Sequence, residues 1–182
     1  PGGKVETEKS LVGIYFADKG PDKDLLSVEL PALFGFGAGI DIPPGEKRFT
    51  IRDSYTLPGD ALVLMAIAHA HYLAKDMRMT AVMPDGATQD LMKVPAWDFN
   101  WQERYYFKQP IRLSKGTRLD VEISYDNSAE NPNNPSSPPK RVRFGQQSTD
   151  EMGSMSIEIV PARERDLPDF ASAVQQHLQS SI

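Results

Sequence analysis

The punctuation of this chain limits its fold more than any other feature. Pro43-Pro44-Gly45, Leu57-Pro58-Gly59-Asp60, Pro84-Asp85-Gly86 and Ser114-Lys115-Gly116 each combine a fixed or positive φ with a solvated neighbour, so each ends one run and starts another. The runs between them are short and either alternate or carry β-branched residues, which favours strands. The candidate strands are Ser10 to Phe16, Leu25 to Leu30, Lys47 to Tyr55, Leu62 to His71, Arg78 to Met83, Asp90 to Val94, Arg104 to Phe107, Arg118 to Tyr125, Val142 to Phe144 and Met155 to Val160. Their spacing predicts an all-β chain, an antiparallel β-sandwich of jelly-roll-like form.

Two stretches break this rhythm. Asp126 to Lys140, DNSAENPNNPSSPPK, is dense in proline and asparagine and predicts an ordered or semi-rigid loop. Past Val160, Asp166 can cap a helix, Pro168 suits its first turn, and Phe170, Val174, His177 and Leu178 share one face, so a short C-terminal helix is expected. The sandwich should therefore occupy residues 24–160 and the helical tail 161–182.

A hydrophobic content of 40% over 182 residues can build one core. No apolar run approaches the roughly 20 residues that span a bilayer, which argues against a membrane segment. A net charge of -5 offers no basic stripe for nucleic acid. Without cysteine there are neither disulfides nor thiolate ligands.

Against that background, His69 and His71 in AIAHAHYLAK stand out as two of only three histidines. On a strand, residues two apart point to the same face with Cα atoms about 6.8 Å apart, so both imidazoles can turn onto one metal ion. Val63, Met65 and Ile67 share that parity, and the row is expected to point into the sandwich. The plainer reading is two histidines at a strand end bonded to backbone and solvent. His177 belongs to the tail helix, so a third ligand would be a carboxylate or a methionine thioether, the latter favouring soft Cu(I).

HAHYLAK is followed by YDNSAENPNNP, RVRFGQQ and STDEMGSM, and preceded by IDIPPGEK at Ile40 to Lys47. In this order the strings resemble the C-terminal domain of the copper type II, ascorbate-dependent monooxygenases, which include peptidylglycine α-hydroxylating monooxygenase, dopamine β-monooxygenase and bacterial relatives. The resemblance spans roughly Leu25 to Val160. It implies one copper held by His69, His71 and Met152, with an open position for O2 from which a substrate C–H bond is hydroxylated at the expense of ascorbate or another external reductant. It also implies a periplasmic or extracellular setting and an unknown small or apolar substrate.

The family's second copper is held by three histidines of a preceding domain, and after His69 and His71 only His177 remains here. PGGKVETEKSLVGIYFADKG resembles the stretch just after the last of those histidines in bacterial members. Residues 1–23 are thus expected to lead out of an upstream second-copper domain, and the opening Pro1-Gly2-Gly3 suggests excision from something longer. Where the peptide-amidating enzyme grips a carboxylate with arginine, asparagine and tyrosine, this chain has Ile67, Ser154 and Ser156, which does not support peptide amidation.

Two other readings belong to different classes. One is a copper-binding or interaction module that hydroxylates nothing. The other is a carbohydrate-binding sandwich using Trp97 and Trp101 of WDFNWQERYYF as a stacking platform, although core and rim packing is the commoner role of such residues. Asp126 and Asn127 could ligate calcium, with an Asx turn as the default.

Overall fold

The long strands bury alternate residues, and that alternation assembles two sheets face to face. The computed structural model describes residues 4–181. Its strands are β1 (Leu26–Leu30), β2 (Asp41–Ile42), β3 (Phe49–Thr56), β4 (Ala61–Ala70), β5 (Ala74–Val82), β6 (Thr88–Val94), β7 (Arg104–Leu113), β8 (Arg118–Tyr125), β9 (Val142–Arg143) and β10 (Gly153–Pro161). One sheet has the order β1-β10-β4-β7 and the other β3-β8-β5-β6, with every neighbouring pair antiparallel; β2 and β9 form a short ribbon. This interleaving of chain order between two sheets is a jelly roll, the architecture expected from the turn spacing.

Val28 and Leu30 of β1, Met155, Ile157 and Ile159 of β10, Met77 and Met79 of β5 and Leu119, Val121 and Ile123 of β8 fill the space between the sheets. Each such side chain contributes about 1.5–3 kcal/mol by leaving water. Among the described residues no helix is long and apolar enough to cross a membrane.

The expected strand at Ser10 to Phe16 is absent. That segment runs without regular structure, and Leu11, Val12, Ile14, Tyr15 and Phe16 are all exposed. Its composition suits a strand, but strand residues need a ladder partner and none of the described strands pairs with it. β7 runs six residues past the expected Phe107 because it is an edge strand with little burial, where alternation leaves no trace.

The C-terminal helix spans Leu167–Ser180 with Pro168 in its first turn. Asp166 does not cap it through its side chain; the carboxylate accepts from Arg163 Nε at 2.8 Å instead. Phe170 is fully buried and seated on Gly59, where an added Cβ would come within 2.9 Å of the ring. His177 Nε2 lies 2.9 Å from Asp53 Oδ2 and its ring meets Tyr55 edge-on, which fixes the far end of the helix to β3.

The asparagine-rich loop is ordered by its own side chains. Asn127, fully buried, donates from Nδ2 to the carbonyls of Ile42, Pro43 and Lys140, and its Oδ1 accepts from Asn134. Asp126 Oδ1 accepts from the Ser128 N–H, the Asx turn that was the default reading there.

Candidate metal centre

β4 carries the histidines, and a bulge decides which way they face. Val63 pairs with Ile159 and Met65 with Glu158, so Leu64 is an extra residue against β10, while on the other side Val63 pairs with Ile111 and Met65 with Tyr106, where β7 carries the excess, Phe107 to Pro110. Before it, Ala61 and Val63 point into the core; after it, Ala66, Ala68 and Ala70 do. The row Met65, Ile67, His69 and His71 is thereby turned to the outer face of the β1-β10-β4-β7 sheet. The expectation that it continues Val63 into the sandwich is corrected by this one inserted residue.

On that outer face the two imidazoles meet edge to face with centroids 5.4 Å apart. His69 Nδ1 is 2.7 Å from Gln102 Oε1. Gln102 Nε2 donates to the Phe99 carbonyl at 2.8 Å, which fixes the amide with its oxygen toward His69. His69 Nδ1 must therefore be the donor. His71 Nδ1 lies 3.2 Å from the Asp150 carbonyl, which can only accept, so it too carries the proton. Both rings are held as Nδ1–H tautomers, and both Nε2 lone pairs are left for another partner.

His71 itself is buried and fixed at both backbone ends. Its N–H donates to Glu151 Oε1 at 2.6 Å, and its carbonyl accepts from Trp97 Nε1 at 2.9 Å. Phe34 meets the His69 ring edge-on at 5.0 Å from a turn in which Leu33 and Phe34 have φ of 52° and 56°, a left-handed conformation that costs non-glycine residues. Burial is the main reason the His69 imidazole titrates below its usual 6.5, with the His71 charge acting in the same direction and Gln102 and Glu29 opposing.

Met152 arrives from β10. The β10–β4 ladder pairs Ser154 with His69 and ends at Gly153 and Ala70, so Met152 lies just beyond the end of the ladder, as His71 does on the other strand. Its N–H donates to Glu151 Oε1 at 2.9 Å, the same oxygen that holds His71. Glu151 Oε2 accepts the Leu73 N–H at 2.9 Å. One buried carboxylate thus ties together the backbone of His71, Leu73 and Met152. Desolvation pushes the Glu151 carboxyl up to about 8 against the pull of these three donors. The Tyr125 hydroxyl donates to the Met152 carbonyl, and a Cβ on Gly153 would overlap that hydroxyl, so only glycine fits beside Met152.

Among the described residues no third His, Asp or Glu joins His69 and His71 in a group able to hold a metal. It is the family resemblance that assigns the third ligand to the Met152 thioether, and the structure ties the Met152 backbone to that of His71 through Glu151. Two imidazole Nε2 atoms and a thioether suit Cu(I) and leave coordination positions open.

Sequence reading missed Gln102, Trp97, Phe99, Asp150 and Glu151 as supports. In the WDFNWQERYYF string Trp97 is only 8% exposed and bonded to His71, the packing role that was the commoner expectation, whereas Trp101 is 64% exposed. The signal that could have found Glu151 is its position immediately before Met152. Gln102→Leu should lower copper affinity about 10–100-fold by freeing the His69 ring. Because Gln102 is exposed, stability should move by no more than about 0.5 kcal/mol, and unchanged affinity in a chelator competition would show that Phe34 alone holds the ring.

No protein-family model matches this chain, and no curated protein matches it. Among solved structures it is similar to the infectious bursal disease virus Gx strain structure, at 11% identity and a TM-score of 0.32 over 82% of this chain and 35% of that chain. The Gt strain structure gives 13% identity and a TM-score of 0.28 over 82% and 38%. The family 32 carbohydrate-binding module from C. perfringens NanJ in complex with galactose gives 9% and 0.28 over 74% and 93%. This chain spans little more than a third of the two viral chains. Likeness at these TM-scores decides nothing about ligand or activity.

Proposed function

We propose that this chain is the mononuclear copper domain of a copper-dependent monooxygenase, the oxygen-binding half of a protein that hydroxylates a substrate C–H bond with O2 and an external reductant. The observation that carries the reading is the pair of fixed tautomers. Both Nδ1–H groups are spent on protein acceptors, which leaves the two Nε2 atoms of this pair for a metal.

Bound there, copper would supply one-electron chemistry toward O2. The chain's own residues do the rest. Glu151 sets the spacing between His71 and Met152, Gln102 and Asp150 keep both imidazoles in the ligating tautomer, and Phe34 shields one side of His69 from water.

The outer face beside His69 also bears on the substrate. Ile67 is paired with Ser156 and His69 with Ser154, so the three positions that differ from the peptide-amidating enzyme share a face with the histidines. Glu29, opposite Ser156, accepts from the Ser154 hydroxyl at 2.8 Å. A carboxylate here disfavours an anionic substrate and agrees with a chemistry other than peptide amidation.

Met152→Leu tests the assignment, since it keeps the apolar volume and removes the sulfur. Cu(I) affinity should fall by about tenfold or more while Cu(II) affinity falls less, because soft sulfur prefers the reduced ion. Competition with oxidation-state-selective chelators measures both, and equal losses would mean that Met152 is packing only. Product formation with ascorbate and a preceding second-copper domain then separates a hydroxylase from a copper-binding module.

A further inference from the structure

The back of β4 carries a second feature, independent of the copper reading. Between the edge strands β6 and β7, where the two sheets part, lies a cleft of about 160 Å³. Its floor is Ala68, Met92 and Val94, and Trp97, Trp101 and Tyr105 wall it. Both tryptophans of the chain are in it. Trp101 Nε1 donates to the Tyr105 hydroxyl at 2.6 Å, which locks these two rings together while leaving Trp101 largely exposed. Trp97 is anchored through its own indole N–H, so both indole donors are already used.

The polar lining is of one sign. Asp98 and Glu103 are the ionisable groups with charge at neutral pH, and no Lys or Arg lines the cleft. Asp98 spends Oδ1 on the Asn100 backbone and side chain, and Glu103 has no hydrogen-bond or ion-pair partner among the described residues. Indoles whose donors are occupied, an apolar floor and two carboxylates leave the Tyr105 hydroxyl as the one ring donor, a poor site for a sugar, which needs several donors and acceptors around its rim. They make a good one for a cation without N–H groups, held by ring faces and nearby negative charge.

We propose that this cleft binds a small alkylated ammonium group, such as a trimethylammonium headgroup. Aromatic faces stabilise such a cation without demanding hydrogen bonds, and the methyl groups match the Ala68, Met92 and Val94 floor. Trp97 belongs both to this wall and to the support of His71, so an occupant would touch the residue that holds the histidine's carbonyl.

Tetramethylammonium chloride, titrated into the full chain at constant ionic strength, tests the proposal, because every tryptophan signal reports from the cleft. A saturable change in intrinsic fluorescence is expected, with none from tert-butanol or pivalate, which match its bulk without its charge. In calorimetry Trp101→Ala and Glu103→Gln should each weaken binding about tenfold. Both residues are exposed, and circular dichroism checks that the variants fold. Equal response to tert-butanol, undiminished binding by both folded variants, or saturation by a free hexose with no response to tetramethylammonium would each overturn it.

Discussion

The His69→Ala, His71→Ala double variant will fold and yet hold no copper against a competing chelator that leaves the parent chain loaded. Substitution of a group that merely orients a ligand costs about 10–100-fold in metal affinity, so removal of two direct ligands should cost upwards of about 1,000-fold. The loss should also be visible as pH dependence in the unsubstituted chain. Ligating nitrogens must be unprotonated, and burial lowers the His69 imidazole, so proton competition at that ring sets in at lower pH than for an ordinary histidine. The same lowered pKa acts on the metal-free fold: between the unfolded value of 6.5 and the lower folded value, the unfolded chain binds the extra proton. Stability from His69 is therefore present above about 6.5 and lost as pH falls. Full copper stoichiometry in the double variant would place the metal elsewhere and end the proposal.

How far the sequence reached can be judged from β4. Its extent was legible, because LVLMAIAHA is apolar, includes β-branched Val63 and Ile67, and follows the turn residues Leu57-Pro58-Gly59-Asp60. Its facing was not. The residues on either side of Leu64 are apolar at both parities, so a bulge leaves no mark in the pattern, and a one-residue shift moves the whole histidine row to the other face. The same limit explains Ser10 to Phe16, where composition reports strand propensity but not whether a partner strand exists.

The site shows a similar division. The two histidines announce themselves by rarity and spacing, and Met152 is singled out only by the resemblance of its surrounding string. Gln102 and Asp150 could not have been chosen, because one acts through an exposed amide and the other through its backbone carbonyl, which any residue type supplies. Trp97 could not be assigned from its residue type, because an indole N–H pinning a strand-end carbonyl and an indole stacking on a sugar require the same residue.

Glu151 is where fold and site depend on the same atoms, and its replacement should have the largest effect on stability. Glu151→Gln offers one oxygen and one NH2 to the buried N–H groups of His71, Leu73 and Met152, so at least one donor faces another donor. An orphaned buried donor costs about 1–3 kcal/mol, and disruption of the whole clamp about 3–5 kcal/mol, enough to lower Tm by roughly 10 °C in a chain of this size. Copper affinity should fall with it, because the carboxylate sets the distance between the strand end carrying His71 and the strand carrying Met152. The pH dependence follows from the carboxyl being pushed up to about 8 from its usual 4.5. A raised folded value means that the native state keeps the proton longer than the unfolded chain. This contribution is fully present below about 4.5 and is lost as pH rises toward 8. His69 and every other titrating group are common to parent and variant, so the difference between their stability profiles isolates Glu151. Chemical denaturation at intervals across that range should show the parent losing stability relative to Glu151→Gln as pH rises. A difference that moves the opposite way would mean that the three N–H donors outweigh burial and hold Glu151 ionised throughout.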